Sequence, residues 1–179
     1  MGFFRQGVKI IDKINDTLGS IIALLAIPMM LSVVYEVIVR YLFNSPTIWV
    51  MELNQHLLCA YTALAGGYVL LHKAHVGVDI LYERFPQKIR ILVNLLTALM
   101  GGVFLYILFT KSLDIAVEAW VYKEHSDSLF APYLFPAKIT IPIGAFLFFF
   151  QLLAKLVRDI EELLSVIKND AGASSQAGE

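Results

Sequence analysis

Glu36 stands one helical turn before Arg40 inside an otherwise apolar run, and a carboxylate in that setting has two uses. It could take up and release a proton during transport. It could also form a local ion pair near the membrane surface, relieving the roughly 3 kcal/mol that insertion scales assign to a charge at mid-membrane. The spacing to Arg40 favours the pair. His72 and His75, three apart, with Asp79 one turn further on, could begin a metal site, but such a site needs further ligands that converge. A polar cap on a helix end is the simpler account of these residues. Asp114, Glu118, Glu124 and Asp127 offer carboxylates for acid and base work, yet beside Lys111 and Lys123 they read more simply as a solvated loop. A b-type haem needs histidines on facing helices, and only His56 falls within an apolar run. The chain has no Ser-His-Asp or Cys-His set, no P-loop, no glycine-rich dinucleotide loop and no thiol cluster. Its single cysteine, Cys59, offers no disulfide framework. The expectation is a protein that is not an enzyme, with no cofactor or metal site and no nucleic-acid partner.

The elements that must carry these residues follow from composition. Of 179 residues, 58% are hydrophobic and 16% charged, with a mean hydropathy of +0.70. Apolar content lies above that of a soluble domain and charge below it, so the chain is read as an all-α integral membrane protein. A bilayer core of roughly 30 Å needs about 20 apolar residues per helix. Four runs qualify, at about 17–39, 49–71, 89–115 and 135–157, within a single domain over 1–168. A β-barrel would instead need alternating segments of about ten residues. With four spans both termini share one side. That side holds Arg5, Lys9, Lys13, Lys73, Arg84, Lys88, Arg90, Lys155, Arg158 and Lys168, and the other side only Arg40, Lys111, Lys123 and Lys138. The positive-inside bias therefore places both termini in the cytoplasm.

Between the first two runs lies a polar hinge, with Arg40 at the end of one, a turn at Asn44-Ser45-Pro46, and Trp49 and Glu52 where the next begins. Asn44, Ser45 and Thr47 are natural cappers, and Pro46 suits the first turn of a helix. Arg40 and Glu52 are expected to face each other at the outer surface. Phe4, Val8, Ile11, Ile14 and Leu18 recur at helical spacing among charged residues, predicting an amphipathic helix lying on, or leading into, the inner surface. Pro28 should bend the first span. In the second, the pairs Ala63/Gly67 and Thr62/Gly66 permit close helix packing. After the fourth span, apolar residues from Leu152 to Ile167 continue at helical spacing, predicting an amphipathic extension, and 169–179 is expected to be a flexible tail. Midplane chemistry for transport is sparse, mainly Glu36 and Gln151.

The hinge Arg40-Tyr41-Leu42-Phe43-Asn44-Ser45-Pro46, with Trp49 and Glu52, then Gly66-Gly67 and Lys73-Ala74-His75-Val76-Gly77-Val78-Asp79, resembles the small membrane subunit of tripartite ATP-independent periplasmic (TRAP) transporters, the DctQ-like family. The resemblance covers about Leu18 to Arg158. It departs at Met51, where many relatives carry a second acid beside the one matching Glu52. The resemblance implies a bacterial inner-membrane complex with a large permease subunit and a periplasmic solute-binding protein. Substrate and sodium sites would lie in the large, elevator-type subunit, and this chain would enlarge its static scaffold among the membrane lipids. Arg40, Asn44, Pro46, Trp49 and Glu52 would form the hinge and a subunit or binding-protein interface, and Lys73, His75 and Asp79 the inner-side family motif. Substrates across the family are small organic anions such as carboxylates, keto acids and sulfonates. The competing expectation, from the residues alone, is a self-sufficient proton-coupled transporter using Glu36.

Overall fold

The computed structural model describes residues 2–72 and 87–176, and these form five α-helices. They are α1 (Gly2–Ala23), α2 (Ala26–Leu42), α3 (Val50–Leu71), α4 (Gln87–Val121) and α5 (Phe135–Gln176). Among the described residues there is no β-strand, only an isolated antiparallel bridge between His125 and Tyr133. The chain is thus all-helical, as its periodicity predicts.

Three stretches are long and apolar enough to cross a membrane: Gln6–Leu42, Leu92–Val121 and Phe135–Glu161. The expected second span coincides with α3, which has the length at 22 residues but carries Glu52, Asn54, Gln55 and His56 in its first two turns. These polar side chains hold its hydropathy below that of the other three. The position of α3 explains how they are accommodated, since α1, α2 and α5 all pack against it. On the far side of α5 lies α4.

The expected first span is divided in the structure. Leu24 and Leu25 donate to carbonyls only three residues back, Ile21 at 3.1 Å and Ile22 at 2.9 Å, so the helix tightens and stops before α2 begins. Pro28 is the cause that the sequence predicts: it cannot donate to the Leu24 carbonyl, which instead accepts from Ile27 at 3.2 Å. The residues ahead of this break do not form a helix standing apart from the bundle. α1 runs unbroken to Ala23 and packs on both α3 and α5.

Small residues set the helix spacing. A Cβ on Gly144 of α5 would overlap the backbone of Ala63, one on Gly66 would meet the Phe148 ring, and one on Gly67 would overlap the Asn15 side chain of α1. The two small-residue pairs of α3 therefore serve two neighbours, α5 and α1. Ala98, Leu105 and Leu152 form the buried centre between α4 and α5, with Leu108, Phe148, Phe149 and Leu156 around it.

The connection from α4 to α5 is more ordered than a solvated loop. Ser126 N–H donates to the Pro132 carbonyl and Leu134 N–H to the Glu124 carbonyl, each at 3.0 Å, while Glu124 pairs with Lys138. Lys123 and Ala131 take left-handed φ of 48° and 45° to close it. α5 continues to Gln176, so the part of the expected flexible tail from 169 to 176 is helical, and 177–179 lie outside the described residues.

Candidate functional site

Two polar clusters lie at opposite ends of the bundle. The first is built on the hinge. α2 ends because Asn44 adopts a left-handed φ of 49°, a conformation that asparagine tolerates better than most residues. Phe43 and Ser45 N–H both return to the Val39 carbonyl, at 3.2 and 3.3 Å. Glu36 Oε1 then accepts from Arg40 Nε at 3.0 Å and Nη2 at 2.6 Å, while Oε2 accepts from Thr47 N–H at 3.1 Å and from the Thr47 hydroxyl. One carboxylate thus joins the last turn of α2 to the connection after it. The Tyr35 and Trp49 rings, 6.1 Å apart, cross the same gap. Below them Asn54 and Ser32 hydrogen-bond at 2.9 Å, tying α3 to α2.

This arrangement corrects three expectations. Arg40 pairs with Glu36 and not with Glu52, because the i, i+4 partner on its own helix is already in reach. Glu52 instead turns inward: the residue is 8% exposed and its Oε2 has no hydrogen-bond partner among the described residues. Pro46 is not in the first turn of a helix, since α3 begins four residues later, and no side chain caps its N-terminus. Thr47 gives its hydrogen bonds to Glu36 instead.

The second cluster, at the other end, joins residues that the sequence does not mark as partners. Asn15 and Gln151 are 2% and 1% exposed, and Asn15 Nδ2 donates to Gln151 Oε1 at 2.9 Å. Gln151 Nε2 donates to Asp12 Oδ1 at 2.8 Å, and the same oxygen accepts from Arg158 Nη2 at 2.8 Å. Beside this chain, His72 Nε2 lies 2.9 Å from Asp16 Oδ1, which links the end of α3 to α1. His72 therefore bridges two helices with its ring. Buried amides satisfied in this way fix a register between helices that apolar packing alone leaves free. The sequence did hold two signals: Asn15 interrupts the stripe of Ile11, Ile14 and Leu18 with a polar side chain, and Gln151 is a polar residue within an apolar run.

His56 contacts two carbonyl oxygens, that of Glu52 at 2.8 Å through Nδ1 and that of Tyr133 at 3.3 Å through Nε2. A neutral imidazole has one N–H and donates to one of them at a time. Its place is structural, joining α3 to the connection that leads into α5. Lys73, His75 and Asp79 lie outside the described residues. Among the described residues no group of three or more His, Cys, Asp or Glu side chains converges as a metal site. The hollows on the surface are lined mainly by apolar side chains; the one with the most polar lining lies between α2 and α3. The polar contacts of both clusters thus tie helices and their connections together.

Comparison with known proteins agrees with this architecture. The chain matches the sialic acid TRAP transporter permease protein SiaT of Haemophilus influenzae, with 32% identity over 105 residues, 57% of the chain and 16% of that much longer relative. The family model for the DctQ component of the tripartite ATP-independent periplasmic transporters matches residues 29–162, from the start of α2 into α5. The chain belongs to the DctQ component family of tripartite ATP-independent periplasmic transporters.

Proposed function

We propose that this chain is the small scaffold subunit of a sodium-coupled, binding-protein-dependent importer in the bacterial inner membrane. It crosses the membrane four times, with α3 as the second crossing and both termini in the cytoplasm. A large elevator-type permease subunit carries the substrate and sodium sites, and a periplasmic solute-binding protein delivers a small organic anion. This chain contributes no substrate ligand. It holds the static part of the permease in place, with the hinge and the α4–α5 connection on the periplasmic side.

The observation that carries the reading is the state of Glu36. Both its oxygens are taken, by Arg40 and by Thr47, within a structural hinge. A proton-coupling carboxylate has to exchange with a path through the protein, and this one spends its lone pairs on local contacts. The relative named for sialic acid, a carboxylated sugar, makes sugar acids the first anions to try.

The test is uptake in proteoliposomes with this chain alone, with the large permease, and with the binding protein added, each with and without sodium. Uptake is expected only with all partners and with sodium. Glu36→Gln should lower it only in proportion to the complex recovered. Uptake by this chain alone, or a fully assembled Glu36→Gln complex that does not transport, overturns the scaffold role.

A further inference from the structure

Among the apolar faces that the described residues leave open, two differ in chemistry. On α4, Leu92, Leu96, Leu99, Met100, Val103 and Phe104 are exposed, with only the hydroxyls of Thr97 and Tyr106 at the edges of the face. Lipid tails cover such a surface without loss. The other face is a trough of about 430 Å³ between α2 and α3, with walls of Val33, Val37 and Tyr41 on one side and Val50, Met51 and Leu58 on the other. Glu36, Arg40, Asn54 and Gln55 also line it. α2 has no buried residue, and α3 is its main neighbour.

The polar residues of the trough are not all satisfied. Asn54 is bonded to Ser32 and to the Val50 carbonyl, and Glu36 is spent on Arg40 and Thr47. Gln55 is exposed and makes no hydrogen bond among the described residues, and Arg40, half exposed, uses Nε and Nη2 but not Nη1. Gln55 lies five residues into α3 and Arg40 two from the end of α2, so with a rise of about 1.5 Å per residue the free groups sit within about 8 Å of the outer helix ends. Acyl chains cannot satisfy an amide at that depth, and a hydrogen bond between helices can.

We propose that the α2–α3 trough seats a membrane-spanning helix of the large permease subunit, one bearing hydrogen-bond acceptors at the level of Gln55 and Arg40, while the α4 face meets lipid. This assignment rests on the scaffold reading above and adds the surface through which the scaffold is joined. The trough suits a helix: its lining residues recur at 33, 36, 37, 40 and 41 on α2 and at 50, 51, 54, 55 and 58 on α3, two antiparallel ridges into which a third helix can lay one face.

The experiment uses the full chain expressed with the large permease in membranes, in a Cys59→Ala background. Single cysteines at Val37 or Met51 in the trough, and at Met100 or Phe104 on α4, are labelled with a benzophenone maleimide and irradiated. The trough positions should yield adducts with the large permease, identified by peptide mass spectrometry, and the α4 positions adducts with lipid alone. Adducts with the permease from α4 and not from the trough overturn the assignment, as do trough adducts confined to lipid or to a second copy of this chain. Co-purification of the two chains is measured in parallel. If even the unsubstituted chain fails to recover the permease, the scaffold reading falls and the assignment with it; if recovery is normal and the trough labels something else, the assignment alone falls. Gln55→Leu should lower the recovered permease roughly threefold, the scale of one hydrogen bond between membrane helices. Unchanged recovery removes Gln55 from the contact, and with it the argument for a protein occupant.

Discussion

At the scale of single residues, space between α3 and α5 is constrained by backbone, which no side-chain rotation relieves. Gly144→Ala places a methyl against the Ala63 backbone, which cannot rotate away, so the helices must separate. Overpacking of this kind costs about 1–3 kcal/mol. Thermal unfolding in detergent should show a clear fall in Tm for Gly144→Ala, with little change for Gly101→Ala, whose added carbon meets only the Leu152 side chain at 3.6 Å. Equal effects of the two substitutions would contradict the packing described here. A second contrast separates the charges of the hinge. Arg40→Ala removes the cation that holds Glu36 and should lower Tm, whereas Glu52→Gln removes a charge whose buried oxygen has no partner and should leave Tm unchanged or raised. The reverse order in melting temperature would restore a pairing between Arg40 and Glu52.

At the scale of elements, α1 is held by polar contacts that its amphipathic pattern does not announce. Asn15→Leu leaves the buried Gln151 carbonyl oxygen without its donor, at a cost of about 1–3 kcal/mol. The loss should appear as faster amide hydrogen exchange along α1 and at the end of α3, with α4 unaffected. Gln151→Leu should do the same and more, because it also takes a donor from Asp12. Exchange along α1 that is unchanged in both variants would mean that apolar contacts alone seat this helix. The division of α1 from α2 belongs to this scale too: Pro28 made a bend legible, but the break falls at Leu24 and Leu25, where the lost hydrogen bond is felt.

At the scale of the whole molecule, α3 is the element on which the topology depends. It is long enough to cross a bilayer yet too polar to rank with the other three stretches, and it lies where α1, α2 and α5 cover it. A span of this kind is stabilised by its neighbours more than by lipid. If it does cross, α1 and the α4–α5 connection are on opposite sides of the membrane. Cysteines at Gln6 and Asp127 should then react with an impermeant maleimide from the cytoplasmic and periplasmic sides respectively. Labelling of both from one side would remove α3 from the count of crossings.

What the sequence determined by itself was whatever depends on composition and on near neighbours. Helices, a membrane environment and membership of a transporter family follow from apolar runs, their periodicity and a hinge read within a few residues. The pair of Glu36 with Arg40 was legible for the same reason, since both sit on one turn of one helix. Tertiary structure alone decided which distant polar groups meet. Asn15 and Gln151 are 136 positions apart, and nothing local marks them as partners. Likewise Glu52 looked like the natural mate of Arg40 across the hinge, but the helix turned it inward while a nearer carboxylate took its place. The physical reason is common to both cases: a buried polar group takes the partner that folding brings within hydrogen-bond distance, and in a bundle that partner is set by helix rotation and register.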